Sequence, residues 1–297
     1  MARMGAVANR AEGLLRTAVV ATAPVPGGDI CTATRLRLSD GGSALVKTRP
    51  HAPADFFRAE AAGLRWLGAA EGVAVPEVLA AEDDCLILEW VEAGRPTPEA
   101  AERLGRALAV THASGAPAHG SGPGSGPGRG SDTGSGYIGT LPLPNRPAES
   151  WPEFFATSRV LPYLRLAVDR GGISPEDADA VEQVVQRIID LAGPEEPPAR
   201  LHGDLWSGNL IWGHDGRVRV VDPAAHGGHR ETDLAMLALF GCPQLERVLA
   251  AYQEPTPLAD GWQDRVPLHQ LFPLLVHASL FGGGYGARAG ATAARLA

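Results

Sequence analysis

The chain has 297 residues, which at roughly 150 per domain allows two domains or one large domain with a pronounced cleft. Apolar residues make up 44% and charged residues 20%, which excludes a chain too polar to fold, and no solenoid-type period is visible. Lys plus Arg number 26 against 34 for Asp plus Glu, a net charge of −8, so a broad surface for nucleic acid or for anionic membrane is not expected.

From the start, MARMGAVANRAEGLL carries scattered charge and does not read as a signal peptide. Segments from Ala33 to Ser39 and from Ser43 to Arg49 flank Asp40-Gly41-Gly42, a turn sequence that supplies the positive φ of a tight hairpin, so the N-terminal region starts as antiparallel sheet. In DFFRAEAAGLRWLGAAE the residues Phe56, Glu60, Leu64 and Leu67 fall on one helical face, which puts an acid in an apolar stripe. A further strand is expected from Cys85 to Leu88, ending at the hinge-like EWVEAGRP,.

Thr97 and Pro98 supply an N-cap and a first-turn proline for a helix running toward His112,. Ser114 to Gly136 is dominated by Gly, Ser and Pro and reads as a flexible loop. Ser174, Pro175 and Asp177 open another helix, with Val181, Val184, Val185, Ile188 and Ile189 on its buried face,. The apolar stretch Leu271 to Tyr285 is broken by Pro273, His277 and glycines and falls short of the ~20 residues of a membrane span. The cysteines, Cys31, Cys85 and Cys242, are odd in number and lack metal-ligand spacing, which together with the missing leader points to the cytoplasm.

The sharpest motif is LHGDLWSGN, Leu201 to Asn209, followed by LIWGHDGRVRVVD ending at Asp222. An Asp and an Asn on one tight loop, with a second Asp returned beside them by a hairpin, give one carboxylate for a substrate hydroxyl and two oxygen ligands for Mg²⁺. Asp204 is the expected proton acceptor, with Asn209 and Asp222 as metal ligands. His202 reads as a neutral ring that braces the loop, and Trp206 as the lining of a sugar or ring pocket.

Phosphoryl transfer also needs a strand lysine for the nucleotide phosphates, fixed by a helix acid. Lys47 in SALVKT and Glu60 meet that need, and pairing removes the cost of a lone carboxylate in the stripe,. Gly27 and Gly28, placed before the first expected strand, can let backbone approach phosphate, although the run is neither G-x-x-x-x-G-K-[ST] nor a full G-x-G-x-x-G,. Glu89, Trp90 and Val91 form the connection against which adenine would pack. The expected cofactors are ATP and Mg²⁺.

LHGDLWSGN, IGTLPLPN with ESWPEFFATSR, HRETDLAMLALFG and the C-terminal PLADGWQDRVPLHQLFPLLVHASLFGGGY together resemble the fructosamine kinase (ketosamine kinase) family, relatives of aminoglycoside and choline kinases. The resemblance implies an α+β, bilobal protein-kinase-like fold, with a small nucleotide-binding lobe over 1–91, a mostly helical catalytic lobe over 92–297 and a Gly/Ser/Pro loop at 114–136. It implies ATP-dependent phosphorylation of the 3-hydroxyl of a ketosamine, a small molecule or a glycated protein lysine, whose unstable product frees the amine. Asp204, Asn209, Asp222, Lys47, Glu60 and Glu89 to Val91 keep their roles under it, and Asp233 matches an acid that braces the catalytic loop. Two departures stand out: the insertion around Ser121 to Gly136, and Asp222-Pro223 where a protein kinase carries Asp-Phe-Gly.

Alternatives remain at this point. An aminoglycoside or choline-type kinase of the same fold would share the chemistry, but the acids after Asp222 are nearly matched by arginines, which disfavours a polycationic substrate,. A metal-dependent hydrolase using His202, Asp204, His214, His226 and His229 leaves Lys47 and Glu60 unexplained. An inactive binding module is disfavoured because every chemical position is filled.

Overall fold

The computed structural model describes residues 2–27, 30–124 and 136–296. Helix α1 (Ala2–Leu15) precedes strands β1 (Val19–Val25), β2 (Thr32–Leu38) and β3 (Ser43–Thr48), then α2 (Phe56–Gly68), β4 (Val78–Ala81) and β5 (Cys85–Glu89). The five strands form one antiparallel sheet in the order β1-β2-β3-β5-β4. Strand alternation divides its side chains. Leu36, Ala44, Val46 and Ile87 pack with Ala11 beneath α1, whereas Leu86 and Leu88 pack with Phe57 and Leu64 of α2. Lys47 shares the second face, because it follows Val46 and lies opposite Leu86.

Neither α1 nor β1 was visible in the sequence pattern. The strand VVATAPV contains Pro24, a residue that removes a ladder donor, but β1 is an edge strand and tolerates it,. The consequence is a correction of place: Gly27 lies between β1 and β2 rather than before the first strand. Gly28 lies outside the described residues.

The rest of the chain is mostly helical. α3 (Pro98–Ala113) begins at Thr97, whose side chain accepts the Ala100 amide as the cap pattern requires,. Strands β6 (Gly136–Ile138) and β7 (Leu141–Leu143) form a hairpin, followed by α4 (Trp151–Phe154), a π-helical turn (Phe155–Val160), α5 (Leu161–Asp169), α6 (Pro175–Gln186) and α7 (Ile188–Leu191). After them come β8 (Ala199–Leu201), the hairpin β9 (Leu210–Trp212) and β10 (Val218–Val220), and β11 (His226–Gly228), which pairs with β8. Helices α8 (Glu231–Phe240), α9 (Leu245–Gln253), α10 (Trp262–Phe281) and α11 (Tyr285–Ala294) complete the chain.

Two expectations need correction. Ile189 is 80% exposed, because the helical path breaks at Arg187 (φ −108°) and restarts as α7 with that residue turned outward. The stretch after Ser114 is not open throughout: His119 and Ser121 are buried, and Gly120 and Ser121 exchange main-chain hydrogen bonds with Gly227 at 2.8 and 2.7 Å. Residues 125–135 of that loop lie outside the described residues. Among the described residues no helix is long and apolar enough to cross a membrane.

One contact between the sheet side and the helical side is very close. A Cβ on Gly63 of α2 would lie 3.1 Å from the Pro223 ring and 3.3 Å from Ala225, so glycine at 63 lets the helix settle directly on the segment after Asp222.

Candidate active site

The alternation of β3 aims Lys47 into the interior, where it is 7% exposed. Its Nζ lies 2.7 Å from Glu60 Oε1 and 2.6 Å from Asp222 Oδ1. Glu60 is placed one helical turn after Phe56 and one before Leu64, both buried, so packing of α2 delivers the acid to the lysine. Burial pushes the Glu60 carboxyl up to about 7, with Lys47 pulling the other way. Burial also opposes the charge on Lys47, but Glu60 and Asp222 outweigh it and the ammonium is held above its ordinary range. For Asp222 burial is likewise outweighed, here by Lys47, and the carboxyl sits below its usual value,.

The loop after β8 is fixed from beneath. Asp233, in the first turn of α8 and fully buried, accepts the amides of His202 at 2.8 Å and Gly203 at 2.9 Å and contacts His112 Nε2 at 3.2 Å. His202 donates from Nε2 to the Val221 carbonyl at 2.9 Å and accepts the Asp204 amide at Nδ1, 3.2 Å away. That pattern requires the neutral ring with its proton on Nε2, and burial lowers its pKa accordingly,. Asn209 Nδ2 donates to the Asp204 carbonyl at 2.8 Å and to its carboxylate at 3.2 Å. Burial, with the charge of Asp222 adding to it, pushes the Asp204 carboxyl up to about 7.

The β9–β10 hairpin returns the chain to this loop. Asp222 follows it in the left-handed region (φ 56°), a conformation uncommon outside glycine and a feature of functional sites. Its side chain is 48% exposed to the cleft. Because Asn209 donates through Nδ2, its amide oxygen remains for another partner. An amide oxygen beside a carboxylate suits a hard cation such as Mg²⁺, which takes oxygen ligands, and these residues fit that ion.

The expected hinge follows β5. Glu89 donates its amide to the Glu77 carbonyl at 2.8 Å and its carboxylate accepts the Glu77 amide at 3.3 Å. The Trp90 ring lies 4.2 Å beneath the Arg35 guanidinium and donates to Glu92 at 2.9 Å. These side chains are committed to the protein, as are the main-chain amides of Glu89 and of Trp90, the latter donating to the Ser43 carbonyl at 3.4 Å. Gly27 has φ +101°, open only to glycine without strain,.

Trp206 leads to residues the sequence pattern did not single out. Its indole meets Phe240 edge-on at 6.0 Å, and Phe240 lies 4.7 Å from His277, which contacts Tyr285 at 5.0 Å and Phe281 at 5.6 Å. A Cβ at residue 208 would collide with the indole, which explains the glycine in WSGN. His277 donates from Nδ1 to the Pro273 carbonyl at 2.7 Å, so Nε2 is the bare nitrogen, and burial keeps the ring below its ordinary pKa. The signal for this group was the i, i+4 spacing of His277 and Phe281 at the end of α10.

The histidines of the hydrolase alternative are not brought together. His214 follows β9 at the hairpin turn and His226 bonds Ala224. Among the described residues the set able to hold a metal is His229, Glu231 and His269, and there Arg265 already occupies both Glu231 oxygens at 2.9 and 2.5 Å.

Comparison with known proteins identifies the family. A family model described as fructosamine kinase matches residues 6–296. A probable ketoamine kinase of Thermus thermophilus is 37% identical over 264 residues, 88% of each chain. A solved structure from Thermobifida fusca, provisionally named a fructosamine-3-kinase, superposes with a TM-score of 0.88 at 50% identity over 97% of each chain. Choline kinase from Streptococcus pneumoniae covers 99% of this chain and is covered over 98% of its own, at a TM-score of 0.62 and 15% identity, a likeness of fold alone. The architecture is therefore the bilobal α+β kinase-like fold, and the chain belongs to the fructosamine kinase family.

Proposed function

We propose that this protein is an ATP-dependent kinase that phosphorylates the 3-hydroxyl of a ketosamine, a fructosamine or ribulosamine, and thereby promotes deglycation. The observation that carries the reading is the meeting of the Lys47–Glu60–Asp222 charges with Asp204 and Asn209 at one cleft. Phosphoryl transfer rests on positioning and charge neutralisation, and that set supplies both.

In this reading residues 1–91 bind the nucleotide and residues 92–297 carry the catalytic groups. Main chain from Glu89 to Val91 takes the adenine, the glycines Gly27 and Gly28 allow backbone near the phosphates, and Lys47, oriented by Glu60, pairs with them. Asn209 and Asp222 would hold Mg²⁺, which when bound neutralises phosphate charge. Asp204 takes the proton of the acceptor hydroxyl, and its raised pKa makes it a stronger acceptor than an ordinary aspartate,. His202 and Asp233 keep the loop in place.

Trp206 covers the apolar face of the sugar, and Phe240, His277 and Tyr285 extend the wall toward the amine. A ketosamine amine is a secondary ammonium at neutral pH, so ring faces and the bare Nε2 of a neutral His277 complement it. Small ketosamines and glycated lysines both present that group. The reading gives no part to nucleic acid or membrane and places the protein in the cytoplasm, in keeping with its charge and cysteine usage. A polycationic aminoglycoside is less well suited, since Glu231 and Glu254 are already paired with Arg265 and Arg106.

The test is a transfer screen with Mg-ATP over fructosamines, ribulosamines, free sugars and aminoglycosides, read as phosphate incorporation by mass spectrometry. Ketosamine 3-phosphate is the expected product. Aminoglycoside transfer without ketosamine turnover overturns the substrate assignment.

A further inference from the structure

Two stretches of distinctive sequence, IGTLPLPN and ESWPEFFATSR, take no part in the chemistry above. They meet at Arg159, which is 1% exposed and lies in the π-helical turn, a form that is rare and concentrated at functional places,. Its guanidinium donates to the Pro144 carbonyl at 2.7 Å and to Asn145 Oδ1 at 2.6 Å. It also stacks 4.5 Å over Phe154 and 5.5 Å over Phe272. The Tyr163 hydroxyl donates to the Pro142 carbonyl at 2.7 Å. The far strand of the β6–β7 hairpin is thus anchored in the helical body.

The near strand reaches the other side of the cleft. The Tyr137 hydroxyl donates to Asp55 at 2.6 Å and its ring lies 5.0 Å from Phe56. Asp55 is the residue before α2 and Phe56 begins the helix that carries Glu60. At the hairpin turn, Gly139 sits so close to Leu280 of α10 and to Ile30 that a Cβ would lie 2.9 and 3.6 Å from their side chains. The hairpin therefore touches the start of α2, the segment before β2 and the end of α10.

We propose that this hairpin is a strap through which the helical body holds α2 where Glu60 meets Lys47, and that Tyr137 is a positioning residue for the nucleotide clamp. The inference rests on the clamp reading of Lys47 and Glu60 given above. A kinase of this kind must have its Lys–Glu pair formed for turnover, so a contact that fixes the helix start acts on catalysis from outside the cleft.

The test is a double-mutant cycle with Tyr137→Ala and Glu60→Gln, measured as kcat/KM for ATP with melting curves alongside. Tyr137→Ala is expected to lower kcat/KM by about tenfold, the scale of a lost packing and hydrogen-bond contact. Tyr137→Phe, which keeps the ring, should restore most of it. On the Glu60→Gln background the Tyr137 penalty should disappear, because the acid it positions is already gone. A wild-type Tyr137→Ala, or a penalty retained in full on Glu60→Gln, overturns the strap. A Glu60→Gln variant with unimpaired ATP kinetics instead overturns the clamp reading itself.

Discussion

Glu60 meets Lys47 at 2.7 Å across the interior between sheet and helix, and each residue makes the burial of the other tolerable. The carboxyl already sits near 7 with the lysine present, so removing the cation drives it higher. A carboxyl whose pKa is raised by folding costs stability progressively as pH rises from its unfolded value to its folded one, and the cost levels off above the folded value, which lies higher in a variant without the cation. Lys47→Met should therefore lose on the order of 1–3 kcal/mol at pH 8 and distinctly less at pH 6. Urea titrations at the two pH values check this, and an equal loss at both contradicts it.

Asp204→Asn should lower kcat by about 10²-fold or more, the upper part of the range for a general base, while ATP affinity stays within a few-fold. Its stability should move the other way. The wild-type carboxyl, raised to about 7 by burial and by Asp222, is destabilising once ionised, and the amide resembles its neutral form. Melting temperature should rise by roughly 2–4 °C at pH 8, by less at pH 5, and be unchanged only below about pH 4, where the carboxyl is protonated in the unfolded chain as well. Near wild-type turnover in this variant removes Asp204 from the proposed role.

The same carboxyl sets an acid limb. Acceptor kcat/KM should fall about tenfold per pH unit below about pH 7 and level off above it. Because Glu60 titrates in the same range, the profile is to be repeated in Glu60→Gln, where the limb should persist at lower absolute activity. Its disappearance there assigns the limb to Glu60.

Asp222→Ala should abolish the Mg²⁺-dependent part of nucleotide binding, since a carboxylate ligand is lost and phosphate charge is left uncompensated. Calorimetric titration of ATP with and without Mg²⁺ distinguishes this from general weakening. Unchanged affinity in Mg²⁺ argues against Asp222 as a ligand.

On the acceptor side, Trp206→Ala should raise the KM for ketosamine by about tenfold, in keeping with loss of a ring contact, without raising that for ATP. His277→Phe keeps the aromatic wall but removes the bare nitrogen. It should penalise ketosamines more than analogues whose amine is replaced by a neutral group, and equal penalties would speak against amine recognition.

Much of this site was readable because its parts are local. Asp204 and Asn209 share one loop, and the turn at His214 to Gly216 marks the hairpin that returns Asp222. Glu60 announced itself as an acid in an apolar stripe, which only a cation could justify, and Lys47 was the strand lysine at hand. Trp206 was readable from its place in the loop, but the rest of the aromatic wall was not, since Phe240, His277 and Tyr285 come from three separate helices, α8, α10 and α11, brought together by packing. β1 was hidden by Pro24, acceptable only because that strand lies at a sheet edge, a fact of topology rather than of composition. Ile189 misled for the opposite reason: its spacing fits the stripe, but the helix does not continue through Arg187.

The close seat of Gly63 on Pro223 and Ala225 bears on how this kinase can be governed. Kinases that idle by swinging the residues after the metal-binding aspartate need a large side chain there to exchange between two pockets. Pro223 carries no such rotatable side chain, and its ring lies close beneath a glycine of α2, so the segment lacks the part which that exchange moves. A swing of that kind at this segment would have to displace α2 as well, which ties the place of Asp222 to that of the helix carrying Glu60.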